Sequence, residues 1–257
     1  MLTATEQVHR LSRRVVYLPH FIEPHEQRDG SLYALIKPVF DFIVAVALLP
    51  IALPLIAFAA MMVRLTSKGP AFYTQVRLGK DGKPYRLYKI RTMIHDCEKL
   101  TGACWSKPGD PRITPVGAFL RRTHLDELPQ LLNVLKGDMS LVGPRPERPE
   151  LIPDLEEAVP GYRQRLKVKP GVTGLAQVQL PADTDLCSVR NKLSYDLYYV
   201  RQYGFWLDMR LIAATAFKVL GASFRVQRIL FGLPTAQEIE RISRLPVEQS
   251  EMHLQVV

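Results

Sequence analysis

The chain has 257 residues, of which 47% are hydrophobic and 23% charged, so one domain with a sizeable buried core is expected. Its formal net charge of +9 indicates an acidic partner, which could be nucleic acid, an anionic membrane surface or a phosphorylated substrate. No zinc-finger, RNA-binding or basic-zipper motif is visible, so we expect no nucleic acid. Three cysteines without ligand spacing, Cys97, Cys104 and Cys187, argue against a disulfide framework and for reduced thiols facing the cytosol.

The N-terminal region combines a polar arm with a long apolar run. Residues 1–30 are polar and basic, and no secretory signal is expected because the apolar run begins only near residue 39. Residues 42–63 carry no charge and are numerous enough to cross a bilayer core as a helix. We therefore predict a membrane-inserted helix over residues 31–66, with a buried helix of a soluble core as the alternative.

The course of this apolar segment is set by its prolines and its flanking charges. Pro50 and Pro54 each remove a backbone donor, so a straight helix is not expected. Positive residues mark cytoplasmic flanks, and here they stand on both sides of the run. Asp41 at its edge is expected to pair with Lys37, one turn earlier. These residues alone support a re-entrant hairpin and a simple span equally.

A β-hairpin is predicted over residues 71–93. Two runs rich in aromatic and β-branched residues flank Gly79-Lys80-Asp81-Gly82, and Asp-Gly is a strong tight-turn signal. Lys89 and Arg91 alternate with apolar neighbours, so both cations are expected on one face of the second strand.

Two helices are predicted to follow the hairpin. The first covers residues 114–122. The second begins at Asp126, a good N-cap, with Pro129 in its first turn, and ends at Gly137-Asp138. Its buried stripe is predicted to consist of Leu128, Leu131, Leu132 and Leu135.

The last part of the chain is predicted to contain loops, helices and a tail. Residues 143–146 and 170–174 are rich in glycine and proline and are expected to form stiff loops. Residues 195–224 mix aromatic, apolar and basic side chains at helical spacing, which suits either helices at a membrane interface or an amphipathic helix packed on the core. The residues after 234 are polar, and we expect residues 235–257 to form a C-terminal tail.

The adjacent carboxylates of Asp126 and Glu127 stand in a basic stretch. An ionised carboxylate can attack a phosphoryl group, and a second one can hold Mg²⁺. The cations that could neutralise such a phosphate are Lys89, Arg91, Arg121, Arg122 and Arg145. Helix capping, a solvated face and loop bracing are the simpler interpretations of these residues. His124 could likewise carry a proton or be purely structural.

The chain resembles the bacterial sugar transferases known as monotopic polyprenyl-phosphate phosphoglycosyl transferases. The resemblance covers roughly residues 35–220 in many ordered blocks, which makes chance agreement implausible. The blocks with the strongest likeness are Lys37-Pro38-Val39-Phe40-Asp41, residues 68–79 and 88–93, Asp110-Pro111-Arg112, residues 125–131 and 133–147, residues 169–174 and Tyr195-Asp196-Leu197-Tyr198-Tyr199. The family's apolar segment is a re-entrant helix broken at a proline, often in a Ser-Pro pair, where this chain has Leu53-Pro54.

The resemblance implies transfer of a sugar 1-phosphate from a UDP-sugar to undecaprenyl phosphate, with Mg²⁺ and release of UMP. Asp126 would be the nucleophile that forms a covalent phospho-sugar intermediate, and Glu127 its metal-binding partner. The remaining site residues would be Lys89, Arg91, Arg121 and Arg145 near the substrate phosphates, with Asp196 as a further acid.

We accordingly predict an α+β fold that is mostly helical, with a small β-hairpin, a proline-broken re-entrant helix and interfacial amphipathic helices. The catalytic domain, residues 67–234, is expected on the cytoplasmic face of the inner membrane. A membrane adaptor with a basic surface and a metal-dependent lipid diphosphate phosphatase are the alternatives. The sequence names neither the sugar nor the state of association, and a homo-oligomer is left open.

Overall fold

The computed structural model describes residues 32–97, 109–181, 183 and 185–243, and the predicted N-terminal arm lies outside them. A long apolar helix leads into a mostly helical domain with two small sheets, which confirms the predicted α+β class. The helices are α1 (Leu32–Thr66), α2 (Pro115–Thr123), α3 (Leu131–Leu135), α4 (Ile152–Ala158), α5 (Leu175–Gln179), α6 (Leu186–Gln202), α7 (Phe205–Val219), α8 (Phe224–Leu230) and α9 (Ala236–Ser243). The strands are β1 (Phe72–Leu78), β2 (Pro84–Ile90), β3 (Ser140–Val142) and β4 (Gly171–Thr173).

Helix α1 is continuous through Pro38, Pro50 and Pro54, so the predicted break of the helix at its prolines is wrong. Its buried residues form one stripe at helical spacing that faces the domain, made of Asp41, Ala45, Ala52, Ile56, Ala59 and Val63. Leucine, isoleucine and phenylalanine side chains cover the other faces and are exposed. By length and composition α1 could therefore enter a bilayer, and its re-entrant course stays a prediction.

Both ends of α1 are held on the same domain. Near its start, the Lys37 ammonium group pairs with the Asp208 carboxylate of α7 and lies 3.6 Å from Asp41, the predicted partner. At its end, the Arg91 guanidinium donates to the Ser67 hydroxyl at 2.7 Å and to the Ser67 carbonyl at 3.2 Å. The apolar helix is thus bound to the domain by charged groups at each end.

The predicted hairpin is confirmed. Strands β1 and β2 pair antiparallel, from Phe72 opposite Ile90 to Leu78 opposite Pro84. The connecting turn places Asp81 and Gly82 in the left-handed region, with φ of 56° and 74°, which an Asp-Gly pair tolerates well.

Contacts between segments that are distant in sequence form the parts of the fold that the sequence did not predict. Strands β3 and β4 pair in parallel, although the β4 residues were predicted as a loop. Helix α6 is largely buried and packs on the core, which is one of the two predicted alternatives for this part of the chain. Helix α9 falls in the predicted tail, yet Ile239 is buried and Arg201 of α6 donates to the Ile242 carbonyl.

We expect Gly117→Ala to destabilise the protein. A Cβ at Gly117 would lie 1.9 Å from the Thr92 carbonyl oxygen, so α2 would have to move away from the end of the hairpin. Because Arg121 donates to the Thr92 hydroxyl at 2.8 Å, this shift would also displace Arg121. The free energy of unfolding should fall by about 1–3 kcal/mol in denaturant titrations in detergent.

Gly204→Ala is the matched control for this prediction. An added Cβ there meets no atom within 4 Å, and the backbone is extended. Its effect should stay within about 0.5 kcal/mol. Equal stability of the two variants would contradict the tight approach of α2 to Thr92.

Candidate active site

Asp126 and Glu127 lie in a short 3₁₀ helix, Leu125–Gln130, between α2 and α3. The prediction that Asp126 caps an α-helix is wrong. His124, left-handed with φ of 55°, precedes the turn, and the α-helix begins only at Leu131.

The later helix start also changes which residues of α3 are buried. Leu132 was predicted to be buried but is exposed, whereas Asn133 is fully buried. The Asn133 side chain accepts the Tyr88 N–H at 3.1 Å and donates to the Arg86 carbonyl at 2.7 Å. This side chain fixes β2, and with it Lys89, beside the two carboxylates.

Glu127 is held between two cations. One of its carboxylate oxygens accepts the Lys89 ammonium at 2.8 Å and the Arg145 guanidinium at 2.7 Å. Burial by itself raises the pKa of Glu127, but Arg145 and Lys89 together hold it well below its ordinary value. Glu127 therefore stays ionised although it is largely enclosed.

Asp126 is buried beside this ion pair. Burial, with the neighbouring charge of Glu127, raises the pKa of Asp126 to about 6, against the opposing effect of Lys89, Arg145 and Arg121. The two carboxylates thus repel each other across adjacent positions.

This pair has the donor chemistry of a magnesium site. Among the described residues no group of three or more acidic, histidine or cysteine side chains could hold a metal. Mg²⁺, however, needs only one or two carboxylates when substrate phosphates and water complete its shell. A divalent cation at Asp126 and Glu127 would also relieve the repulsion that raises the Asp126 pKa.

The structure gathers some of the predicted site residues and separates others. Lys89 and Arg145 contact Glu127 directly, and the charge of Arg121 acts on Asp126. The Arg91 guanidinium contacts the end of α1, and Arg122 is exposed. The His124 side chain is half-buried, and burial lowers its pKa.

Asp196 lies behind the site and acts on it through Arg165. Its carboxylate accepts the Arg165 guanidinium at 2.7 and 2.9 Å, and both side chains are almost completely buried. The same guanidinium donates to the main-chain carbonyl of Arg145 at 2.7 Å. Asp196 therefore helps to position Arg145 and does not reach the dyad. Sequence reasoning missed Arg165 because nothing in its local pattern distinguishes it from a surface arginine.

A basic pocket adjoins Glu127. It is a small, open pocket lined by Arg77, Leu87, Lys89, Gln130, Arg145 and Pro146. Lys89 and Arg145 share the single carboxylate of Glu127, so the one negative charge of Glu127 does not balance their two positive charges. The arrangement suits an anion such as a phosphate group.

Comparison with known proteins identifies relatives of this chain. The bacterial sugar transferase family matches residues 32–222. The UDP-N-acetylgalactosamine-undecaprenyl-phosphate N-acetylgalactosaminephosphotransferase of Aeromonas hydrophila is 39% identical over 76% of this chain and 47% of its own length. The UDP-glucose:undecaprenyl-phosphate glucose-1-phosphate transferase of Escherichia coli (strain K12) is 40% identical over 72% of this chain and 40% of its own length. The exopolysaccharide production protein PSS of Rhizobium leguminosarum bv. phaseoli is 42% identical over 70% of this chain and 92% of its own length.

The Aeromonas and Escherichia relatives are much longer than the shared region. The chain spans less than half the length of each of them. It spans nearly all of the Rhizobium protein.

We expect Asp196→Asn to destabilise the domain by about 3–5 kcal/mol, because a guanidinium with 1% exposure would lose its counter-ion. Thermal unfolding of the purified chain in detergent measures this change. Glu156→Gln is the control. It removes an ion pair of similar length, 2.6 Å to Arg163, that is exposed to solvent and should cost at most about 1 kcal/mol. A smaller loss in the buried variant than in the exposed one would contradict this account of Asp196.

Proposed function

Because the chain belongs to the bacterial sugar transferase family, we propose that it transfers a sugar 1-phosphate from a UDP-sugar to undecaprenyl phosphate. The product would be the first lipid-linked sugar of a surface polysaccharide or glycoconjugate. The observation that carries the proposal is the buried Asp126 and Glu127 pair, enclosed by Lys89, Arg121 and Arg145. The names of the Aeromonas and Escherichia relatives agree on the lipid acceptor and differ in the sugar, so the sugar stays open.

In the first step, a carboxylate oxygen of Asp126 attacks the phosphorus that bears the sugar. A new P–O bond forms to Asp126, while the bond from that phosphorus to the bridging oxygen of the diphosphate breaks. UMP leaves with the electron pair. Asp126 is suited to this role because its pKa of about 6 leaves it ionised at neutral pH.

In the second step, a phosphate oxygen of undecaprenyl phosphate attacks the same phosphorus. The bond to Asp126 breaks, and the carboxylate is regenerated. In both steps negative charge grows on phosphoryl oxygens, and Lys89, Arg121 and Arg145 are placed to neutralise it.

Mg²⁺ fits beside these residues as a proposed cofactor. Glu127, with Asp126, would hold it, and when bound it would supply further positive charge for the diphosphate oxygens. The contribution of the chain is to keep Glu127 ionised, which Lys89 and Arg145 do.

Asp126→Asn should abolish transfer, because the amide is neutral and a far weaker nucleophile. With radiolabelled UDP-sugar and undecaprenyl phosphate, the rates of lipid labelling and UMP release should both fall by more than about a thousandfold. Wild-type protein that is incubated with the radiolabelled UDP-sugar alone and then denatured should carry the label on Asp126.

The control for this experiment is Asp81→Asn. Asp81 is exposed in the hairpin turn, and Asn accepts its left-handed backbone equally well, so activity should be unchanged. Activity that survives in Asp126→Asn would exclude Asp126 as the nucleophile. Transfer of the phosphoryl group to water in place of the lipid would indicate a phosphatase.

We also propose that α1 re-enters on the cytoplasmic side, so that both of its ends face the cytoplasm. Leu32 and Thr66 are exposed and mark these ends. In a background with the native cysteines changed to serine, Leu32→Cys and Thr66→Cys should resist an impermeant maleimide in intact cells. Both should react after permeabilisation. Labelling of either one in intact cells would show that α1 spans the membrane.

A further inference from the structure

Helices α7 and α8 present an apolar surface that the domain leaves uncovered. We call it the α7–α8 face. Its exposed side chains are Phe217, Val219, Leu220, Phe224, Val226, Ile229 and Leu230. Leu220 is 81% exposed and Ile229 70%, which is costly in water. Such a face needs an apolar occupant.

One cation of α7 stands at the inner border of this face. Lys218 is half-buried, and its ammonium group donates to the Gln177 carbonyl at 2.6 Å and lies 5.9 Å from the centre of the Phe224 ring. Its neighbours Phe217 and Val219 are exposed. Lys218 thus has apolar contacts on one side and turns its charge towards the domain.

On its other side, Lys218 adjoins the active site. The Thr215 hydroxyl, one turn earlier, bonds the Thr173 hydroxyl of β4 at 2.6 Å, and the Thr173 carbonyl accepts the Gly143 N–H at 2.9 Å. Gly143 begins the loop that carries Arg145.

Helix α7 leads from α1 to the α7–α8 face. The Phe205 ring at its start packs edge-on against Phe40 of α1, with ring centres 5.8 Å apart, and against Tyr33 at 6.1 Å. Its other end carries Phe217 and Val219 of the face, with Lys218 between them. A chain molecule that lay on this face with a phosphate at its end would have Lys218 at the border of its binding surface.

We propose that the α7–α8 face receives the isoprenoid chain of the lipid acceptor and that Lys218 binds its phosphate before the second step. The inference rests on the proposed function and adds an acceptor site to it. Its basis is the placement of one cation between an apolar surface and the dyad. The cations around Glu127 would serve the diphosphate of the donor, so the two anions would be held separately.

Steady-state kinetics of Lys218→Met tests this assignment. Methionine keeps an apolar chain of similar length and removes the charge, so the KM for undecaprenyl phosphate should rise roughly tenfold or more. The KM for the UDP-sugar should change less than about twofold, since a lost cation contact affects only the ligand that it touches. Lys218→Arg should restore most of the acceptor affinity, and Lys80→Met, which removes an exposed cation of the hairpin turn, should change neither constant. Equal changes in both KM values would overturn the inference.

A binding experiment separates this inference from the proposed function. The full chain in detergent is titrated calorimetrically with a short-chain isoprenyl phosphate, and with the corresponding alcohol as the uncharged control. The wild type should bind the phosphate at least tenfold more tightly than Lys218→Met does, and the two proteins should bind the alcohol alike. If the wild type shows no transfer in the kinetic assay, the proposed function fails. If the wild type transfers sugar phosphate and Lys218→Met binds the isoprenyl phosphate as the wild type does, only the acceptor site fails.

Discussion

Two carboxylates on adjacent residues can share a buried position only if cations surround them, and this constraint governs the arrangement of the domain. Glu127 stays ionised because Lys89, which precedes it in the sequence, and Arg145, which follows it, both donate to its carboxylate. At Asp126, burial and the neighbouring charge of Glu127 outweigh the surrounding cations, and its pKa rises to about 6. The cost of burying like charges is thus placed on Asp126, the residue that we propose as the nucleophile.

Each cation of the site is fixed by a contact outside it. Asn133 ties β2 to α3 and so places Lys89. Arg165 donates to the carbonyl of Arg145 and so places the loop after β3. The tight approach at Gly117 brings α2, with Arg121, against Thr92. Positive charge therefore already surrounds the dyad in the structure, and the proposed phosphoryl transfer would need little reorganisation of these residues.

The sequence was informative wherever a local pattern decides the structure. The Asp-Gly turn predicted the hairpin, and the adjacent acids with Lys89 and Arg145 predicted the residues that the structure brings together. It failed where long-range contacts decide. A 3₁₀ turn that contains Pro129 replaces the predicted helix start, Leu132 is exposed, and Asp196 meets Arg165 across 31 positions of sequence.

The same dependence on distant contacts joins the apolar helix to the site. The Asp208 carboxylate receives Lys37 of α1 on one side and the Tyr199 hydroxyl at 2.9 Å on the other. The Tyr199 hydroxyl also contacts the Val142 carbonyl at 2.9 Å, three residues before Arg145. A buried ion pair adds little stability over well-packed apolar residues, but separating its partners would leave a buried charge without compensation. These contacts consequently fix the position of Arg145 and Glu127 relative to α1. If α1 enters a bilayer, the depth of its insertion therefore determines the distance between the dyad and the lipid surface.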